Sequence, residues 1–245
     1  PIPVAFGAAF EGEVVRKADL ACEFGGKGGM CFEWLRMKPM DEVEDGKITV
    51  VGPDIDTFAV GSKNPLGIVV EVAGRKMQKD FEPVLERQIH HLVNYAQGLM
   101  HIGQRDIAWI RVSKTAVEKG LKLNHIGVAL HAKLHQDFGR IFDKIQIRLY
   151  TEPDKVKNVV ERARAVYRTR DARIEGMTDE SVDIYYSCTL CQSFAPTHVC
   201  VINPERVGLC GAYSWLDCRA AFEMKPAGPN QPVKKGKVIN EKTGE

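Results

Sequence analysis

The stretch Ile145-Gln146-Ile147-Arg148-Leu149-Tyr150-Thr151-Glu152-Pro153 passes from a strand-like run straight into a helix start. Proline is well tolerated at an early helical position. Beyond it Val156, Val159, Val160, Ala163 and Val166 recur at helical spacing as far as about Arg173. The same alternation extends outward from this point. Short runs rich in β-branched residues stand at 107–112, 66–72 and 48–51, bounded by the turn signals Asp45-Gly46, Gly52-Pro53 and Asn64-Pro65. Two further strand-like runs, 20–24 and 31–37, flank Gly25-Gly26-Lys27-Gly28-Gly29. Helices are predicted at 81–98, where Leu85, Ile89, Leu92, Val93 and Ala96 repeat and Gly98 is the C-cap, and at 128–138 through Leu130, Leu134 and Phe138. Strands alternating with helices predict an α/β fold with a mixed sheet over residues 1–155. The glycine loop has neither the Lys-Ser/Thr of a P-loop nor dinucleotide spacing, and is read as a hairpin loop.

The chain has 245 residues, 44% hydrophobic and 27% charged, with a formal charge of +2. That is ordinary for a globular protein and too near neutrality to suggest a nucleic-acid partner. No apolar run approaches the ~20 residues of a membrane span, and no signal-peptide pattern opens the chain. A reducing, oxygen-poor cytoplasm is the expected setting. Pro1 and the polar stretch 226–245 lead us to read the chain as a fragment of a longer protein.

Seven cysteines is an odd number, and they are unevenly spread. Cys22 and Cys31 fall in strand-like runs near the start, while Cys188, Cys191, Cys200, Cys210 and Cys218 crowd together. Clustering without a secretion signal favours metal binding over disulfides. Four of them form C-x2-C-x8-C-x9-C, from Cys188 to Cys210. Four thiolates suit a cubane iron–sulfur cluster, one ligand per iron. Tetrahedral zinc accepts the same donors, although its sites usually pair two short knuckles. Pro196 and Pro204 break any continuous helix, so the ligands sit on loops. A helix is predicted at 212–224, its N-terminal N–H groups facing the cluster, with Arg206 and Arg219 offsetting the anionic sulfur. Cys218 shares an apolar helix face with Trp215 and Phe222 and is not assigned as a ligand. His131 and His135 are spaced i, i+4 but lack an HExxH context, so they are read as solvated. His198 lies within the cysteine run, either bonded to a sulfur or simply in a loop. The arginines at 162, 164, 168, 170 and 173 read as a solvated basic face.

Cys188-Thr189-Leu190-Cys191-Gln192-Ser193-Phe194-Ala195-Pro196-Thr197-His198-Val199-Cys200, then Pro204 to Ala212 and Ser214-Trp215-Leu216-Asp217, resembles the cluster segment of acetyl-CoA synthases, the β subunits of carbon monoxide dehydrogenase/acetyl-CoA synthase complexes. Ala9 to Glu13, Gly52-Pro53-Asp54-Ile55-Asp56, Gly103-Gln104-Arg105, Trp109, Arg111 to Lys114 and Ala227 to Pro232 extend the likeness along the chain. The resemblance implies that residues 156–245 hold a helical linker and the first part of an α+β metal-cluster domain. It implies a [4Fe–4S] cluster on Cys188, Cys191, Cys200 and Cys210, linked to two nickel ions in the full-length parent. Cys191 would also bridge to the proximal nickel and act in catalysis, with Phe194 shaping the pocket. The implied reaction joins a corrinoid-delivered methyl group, carbon monoxide and coenzyme A into acetyl-CoA. Implied partners are the carbon monoxide dehydrogenase subunit and a corrinoid iron–sulfur protein. Arg105, Arg111 and the run Arg162, Arg164, Arg168, Arg170 and Arg173 are weighed for the coenzyme A phosphates against the solvated-face reading. In the family a Cys-Gly-Cys holds the distal nickel; these residues contain no Cys-x-Cys, so they are expected to house the cubane without the complete nickel site. An electron-transfer iron–sulfur domain and a zinc-stabilised interaction module are the competing readings.

Overall fold

The structure, a computed structural model, describes residues 15–26, 29–94, 99–104, 107–193, 195–211 and 213–237. Residues 9–13, Lys27, Gly28, Ala96, Gly98, Arg105, Phe194 and Ala212, all singled out above, lie outside the described residues.

Along the chain come β1 (Leu20–Gly25), β2 (Cys31–Met37), β3 (Ile48–Val51), β4 (Ser62–Asn64), β5 (Leu66–Ala73), α1 (Glu82–Asn94), β6 (Leu99–Gln104), β7 (Ile107–Ser113), α2 (Lys114–Glu118), α3 (Leu123–Phe138), β8 (Lys144–Tyr150) and α4 (Pro153–Glu175). There follow β9 (Ile184–Cys188), β10 (Cys200–Ile202), α5 (Trp215–Met224) and β11 (Pro232–Lys234). They form two compact units, Pro1–Arg170 and Asp171–Glu245.

The first unit is built on two four-stranded sheets, ordered β4-β1-β7-β6 and β2-β5-β8-β3. In the second sheet β5 runs parallel to β2 and antiparallel to β8, and β8 is parallel to β3, so the sheet is mixed. All eight residues of β5 are buried, as a central strand covered on both faces requires. Against one face packs α4, whose Val156, Val159, Val160, Ala163 and Tyr167 meet Phe32, Trp34 and Val69. Against β3 lies α3, which approaches closely because residue 127 is glycine: a Cβ there would sit 2.4 Å from Ile48 Cγ2.

The glycine loop is not a hairpin. Its flanking strands enter different sheets, β1 pairing with β4 and β7 and β2 pairing with β5. β2 is then an edge strand whose outward groups need partners. Glu82 and Glu86 of α1 accept the N–H groups of Met37 and Leu35, each at 2.8 Å. The Tyr167 hydroxyl donates to the Glu33 carbonyl and Arg170 Nη1 to the Leu35 carbonyl. The basic-face reading of α4 fails at Arg170, which is buried and holds Glu86 at 3.0 Å and Glu82 at 3.3 Å.

Candidate metal centre

The second unit is a small antiparallel sheet, ordered β10-β9-β11, with α5 docked on it. Trp215 anchors that helix: its indole N–H donates to the Ile184 carbonyl at 2.8 Å and its ring meets Tyr186 edge-on. The helix starts at Trp215 rather than at residue 212. Ser214 is the N-cap, its hydroxyl accepting the Asp217 N–H while Asp217 accepts the Ser214 N–H at 2.8 Å. The Asp217 N–H is therefore satisfied locally and is not aimed at the thiols, as the predicted helix start would have had it.

The pairing of β9 with β10 brings thiols together. Cys188 and Cys200 are direct cross-strand partners, a position whose Cα atoms stand roughly 4.5–5.5 Å apart in antiparallel sheets. Cys191 follows in a 3₁₀ turn, Leu190–Ser193, its carbonyl accepting the Ala195 N–H at 2.9 Å. The chain then returns through a turn in which His198 N–H reaches the Ala195 carbonyl, and Cys200 opens β10. Cys210 lies in the turn closed by Gly211 N–H on the Gly208 carbonyl at 2.8 Å, with Gly211 at φ +70°. Exposure rises along the series, from buried Cys188 through half-buried Cys191 and Cys200 to exposed Cys210. His198 Nε2 stands 3.2 Å from Cys200 Sγ, so of the two readings left open it is the sulfur contact that the structure contains.

The second half of the unit fastens the strand that carries Cys188. Asn230, almost fully buried, donates to the Ser187 carbonyl at 3.2 Å and to Cys218 Sγ at 3.3 Å. Pro229 accepts from the Thr189 N–H, and Gln231 accepts from the Ser187 N–H. Asp179 receives the Asn203 amide at 2.8 Å, steadying the turn at 203–206 that leads toward Cys210. Sequence reasoning misses Asn230 and Asp179 as positioning residues. The only signal for Asn230 is that Ala227 to Pro232 takes part in the resemblance, and Asp179 has none.

The remaining cysteines are inert by environment. Burial pushes the Cys218 thiol up to about 12, with nearby Cys188 and Asp217 adding to the shift. Burial likewise raises Cys22 to about 12 and Cys31 well above the ordinary thiol range. Of the two arginines expected to offset the sulfur, Arg206 closes the 203–206 turn through its backbone, and Arg219 lies over the Trp215 ring at 5.3 Å.

The donor set can be compared with the metals it would suit. Tetrahedral zinc with arms of about 2.3 Å needs sulfurs roughly 3.8 Å apart. Among the described residues no three cysteine sulfurs lie within 4.8 Å of one another. A cubane spaces its thiolates more widely, since each takes its own iron. Four thiolates can serve either group.

The fold and this arrangement define an α/β protein with a small thiol-bearing unit. Residues 2–156 match the family described as CO dehydrogenase/acetyl-CoA synthase complex beta subunit, and residues 167–245 match the family described as the C-terminal part of the ACS/CODH beta subunit. The chain belongs to this beta-subunit family. It is 55% identical over 234 residues to the carbon monoxide dehydrogenase/acetyl-CoA synthase subunit alpha of Moorella thermoacetica, covering 96% of this chain and 32% of that protein. It is 42% identical to the acetyl-CoA decarbonylase/synthase complex subunit beta of Methanopyrus kandleri and 44% identical to that of Methanothermobacter thermautotrophicus. Each of these two matches covers 100% of this chain and 52% of the relative. The chain thus spans about half the length of such relatives, or less. No described helix is long and apolar enough to cross a membrane.

Proposed function

We propose that this chain is the part of an acetyl-CoA synthase that supplies the [4Fe–4S] ligands, Cys188, Cys191, Cys200 and Cys210. The parent enzyme would condense a corrinoid-delivered methyl group, carbon monoxide and coenzyme A, working with a carbon monoxide dehydrogenase subunit and a corrinoid iron–sulfur protein. The single observation that carries this reading is the cross-strand pairing of Cys188 with Cys200, with Cys191 one turn away. When bound, a nickel–iron–sulfur group would hold methyl and carbonyl side by side, so that their union becomes effectively intramolecular.

The chain's own residues do the rest. Cys191 sits on a turn rather than in a strand and is half-buried; the family resemblance is what assigns it the bridging role between the cluster and a further metal. With its proton on Nε2, His198 would donate to Cys200 Sγ, 3.2 Å away, and stabilise anionic sulfur. Asn230 and the 229–231 segment hold the Cys188 strand in place. Leu190, Val199, Val201, Val207 and Leu209 present exposed apolar surface around the same loops. That surface would limit water around a cluster once partners or further chain cover it. Phe194 remains the proposed wall of the pocket.

The coenzyme A reading gains no support at Arg111, which pairs with buried Glu23 at 3.3 Å and lies over Trp109 at 4.3 Å. A cation already matched is a poor phosphate ligand.

Metal analysis of the full-length protein, purified without oxygen, tests the proposal. Expected are about four iron and four sulfide per chain at this centre, nickel in addition, and acetyl-CoA formation from carbon monoxide, a methyl donor and coenzyme A. Iron and sulfide without nickel or acetyl transfer would leave the electron-transfer reading. Zinc without iron would leave the interaction module.

A further inference from the structure

Far along the chain from the cysteines, the turn before β3 meets α3. Asp45 stands in the Asp45-Gly46 turn, and His131 and His135 lie one helical turn apart on α3. Both imidazoles point their Nε2 atoms at the same oxygen, Asp45 Oδ1, at 3.0 and 2.9 Å. The three ligand atoms lie within 4.8 Å of one another. The spacing i, i+4, read from the sequence as a solvated pair, gains its third member from a residue about ninety positions earlier.

The arrangement is held from outside. Gly46, at φ +76°, turns the chain, and its N–H bonds the Ile145 carbonyl at 2.9 Å. The Ile145 N–H in turn donates to Asp45 Oδ1 at 2.9 Å. On the helix side Leu130, Leu134 and Phe138 are buried, fixing which face α3 presents. The His135 ring abuts Phe142 and His131 edge-on, at 6.0 and 4.7 Å. All three side chains remain partly exposed, so an ion could enter and keep water on its open positions.

The distances suit an ion. Two ligands each about 2.1 Å from a metal stand about 3 Å apart at right angles and about 3.4 Å apart in a tetrahedron, and the two nitrogen–oxygen edges here, 3.0 and 2.9 Å, have the right-angled length. Two imidazoles and one carboxylate favour divalent first-row transition metals over calcium or magnesium.

We propose that Asp45, His131 and His135 form a second metal site, taking one divalent transition ion of the nickel or copper type and clamping the turn before β3 to α3. The ion takes the Nε2 lone pairs, and the hydrogens there pass to Nδ1 or to water. This inference is independent of the cluster proposal.

Site-resolved NMR keeps the thiols from confusing the test. Adding Ni²⁺ to the ¹⁵N-labelled full chain should broaden the amides of Gly46, Lys47, Ile145 and residues 131–135 at substoichiometric metal. His131→Gln, His135→Gln and Asp45→Asn should each weaken that binding at least tenfold. Lys133→Ala, on the same helix but outside the triad, should leave it unchanged. Dispersed spectra of the variants would show that they are folded. Broadening confined to the cysteine unit, no binding below millimolar Ni²⁺, or equal affinity in folded His135→Gln would overturn the proposal.

Discussion

Cys22 shows how burial turns a reactive residue into a packing one. It lies in β1 at 1% exposure, and loss of solvent followed by the neighbouring Glu23 charge raises its thiol to about 12. An unfolded thiol ionises near 8.5. The folded group holds its proton more tightly, so its contribution is whole below about 8.5 and is lost as pH climbs from there toward 12. One such proton is worth about 1.4 kcal/mol per pH unit in that window. Urea unfolding of Cys22→Ala between pH 8 and 10.5 should therefore show a shallower alkaline decline than the parent. Parallel declines would mean that Cys22 ionises equally in both states. Thiol labelling of the metal-free chain should order the same way, Cys210 and Cys191 first, and Cys22, Cys31 and Cys218 last. The placement of Cys22 and Cys31 inside strands was legible, because each falls within an apolar β-type run. The partner of the two histidines was not, since no local pattern links a turn aspartate to a helix so far along the chain.

The edge of β2 is the element that most repays a mutation. Two carboxylates of α1, one guanidinium and one phenol of α4 satisfy its outward backbone groups. Removing Arg170 would take from the buried Glu82 and Glu86 the cation that pairs with both. Arg170→Met should cost about 3–5 kcal/mol, whereas Tyr167→Phe should cost about 1 kcal/mol. Chemical denaturation of both variants checks the ratio; equal costs would show that the ion pair adds nothing to the phenol's single bond. Arg170 was readable in principle. It continues the series Val156, Val160, Ala163, Tyr167 at helical intervals of three and four, which places it on the buried face, whereas Arg162, Arg164 and Arg168 fall off it. Net charge along the run concealed this. Strands β4, β6, β9, β10 and β11 escaped the sequence reading because they are three to six residues long and each carries at most two β-branched residues. The Gly52-Pro53-Asp54 stretch, prominent in the family likeness, serves the fold directly. Asp54 accepts the first N–H of α3 at 2.9 Å, and the Pro53 carbonyl accepts the Thr151 hydroxyl.

At the scale of the whole molecule the two units have different sources of stability. The first carries long buried strands and a dense apolar core. The second has three short strands and one helix, with large apolar side chains left exposed around the thiols. On the proposed ligand set, a unit so thinly cored would draw much of its stability from the bound cluster, as small metal domains do. Chelation of iron should therefore abolish hydrogen-exchange protection at Cys200 and Ile202 while leaving β5 protected. Asn230→Ala should weaken iron retention without changing the first unit, because it loosens the Cys188 strand and its tie to Cys218 on α5.

The decisive measurement is a serine scan of all seven cysteines, reading iron and acid-labile sulfide per chain after anaerobic reconstitution. Cys188→Ser, Cys191→Ser, Cys200→Ser and Cys210→Ser should each lose or degrade the four-iron centre, and Cys22→Ser, Cys31→Ser and Cys218→Ser should keep it in the molecules that fold. Retention of a full cluster in any of the first four, or its specific loss from folded Cys218→Ser, would contradict the ligand set.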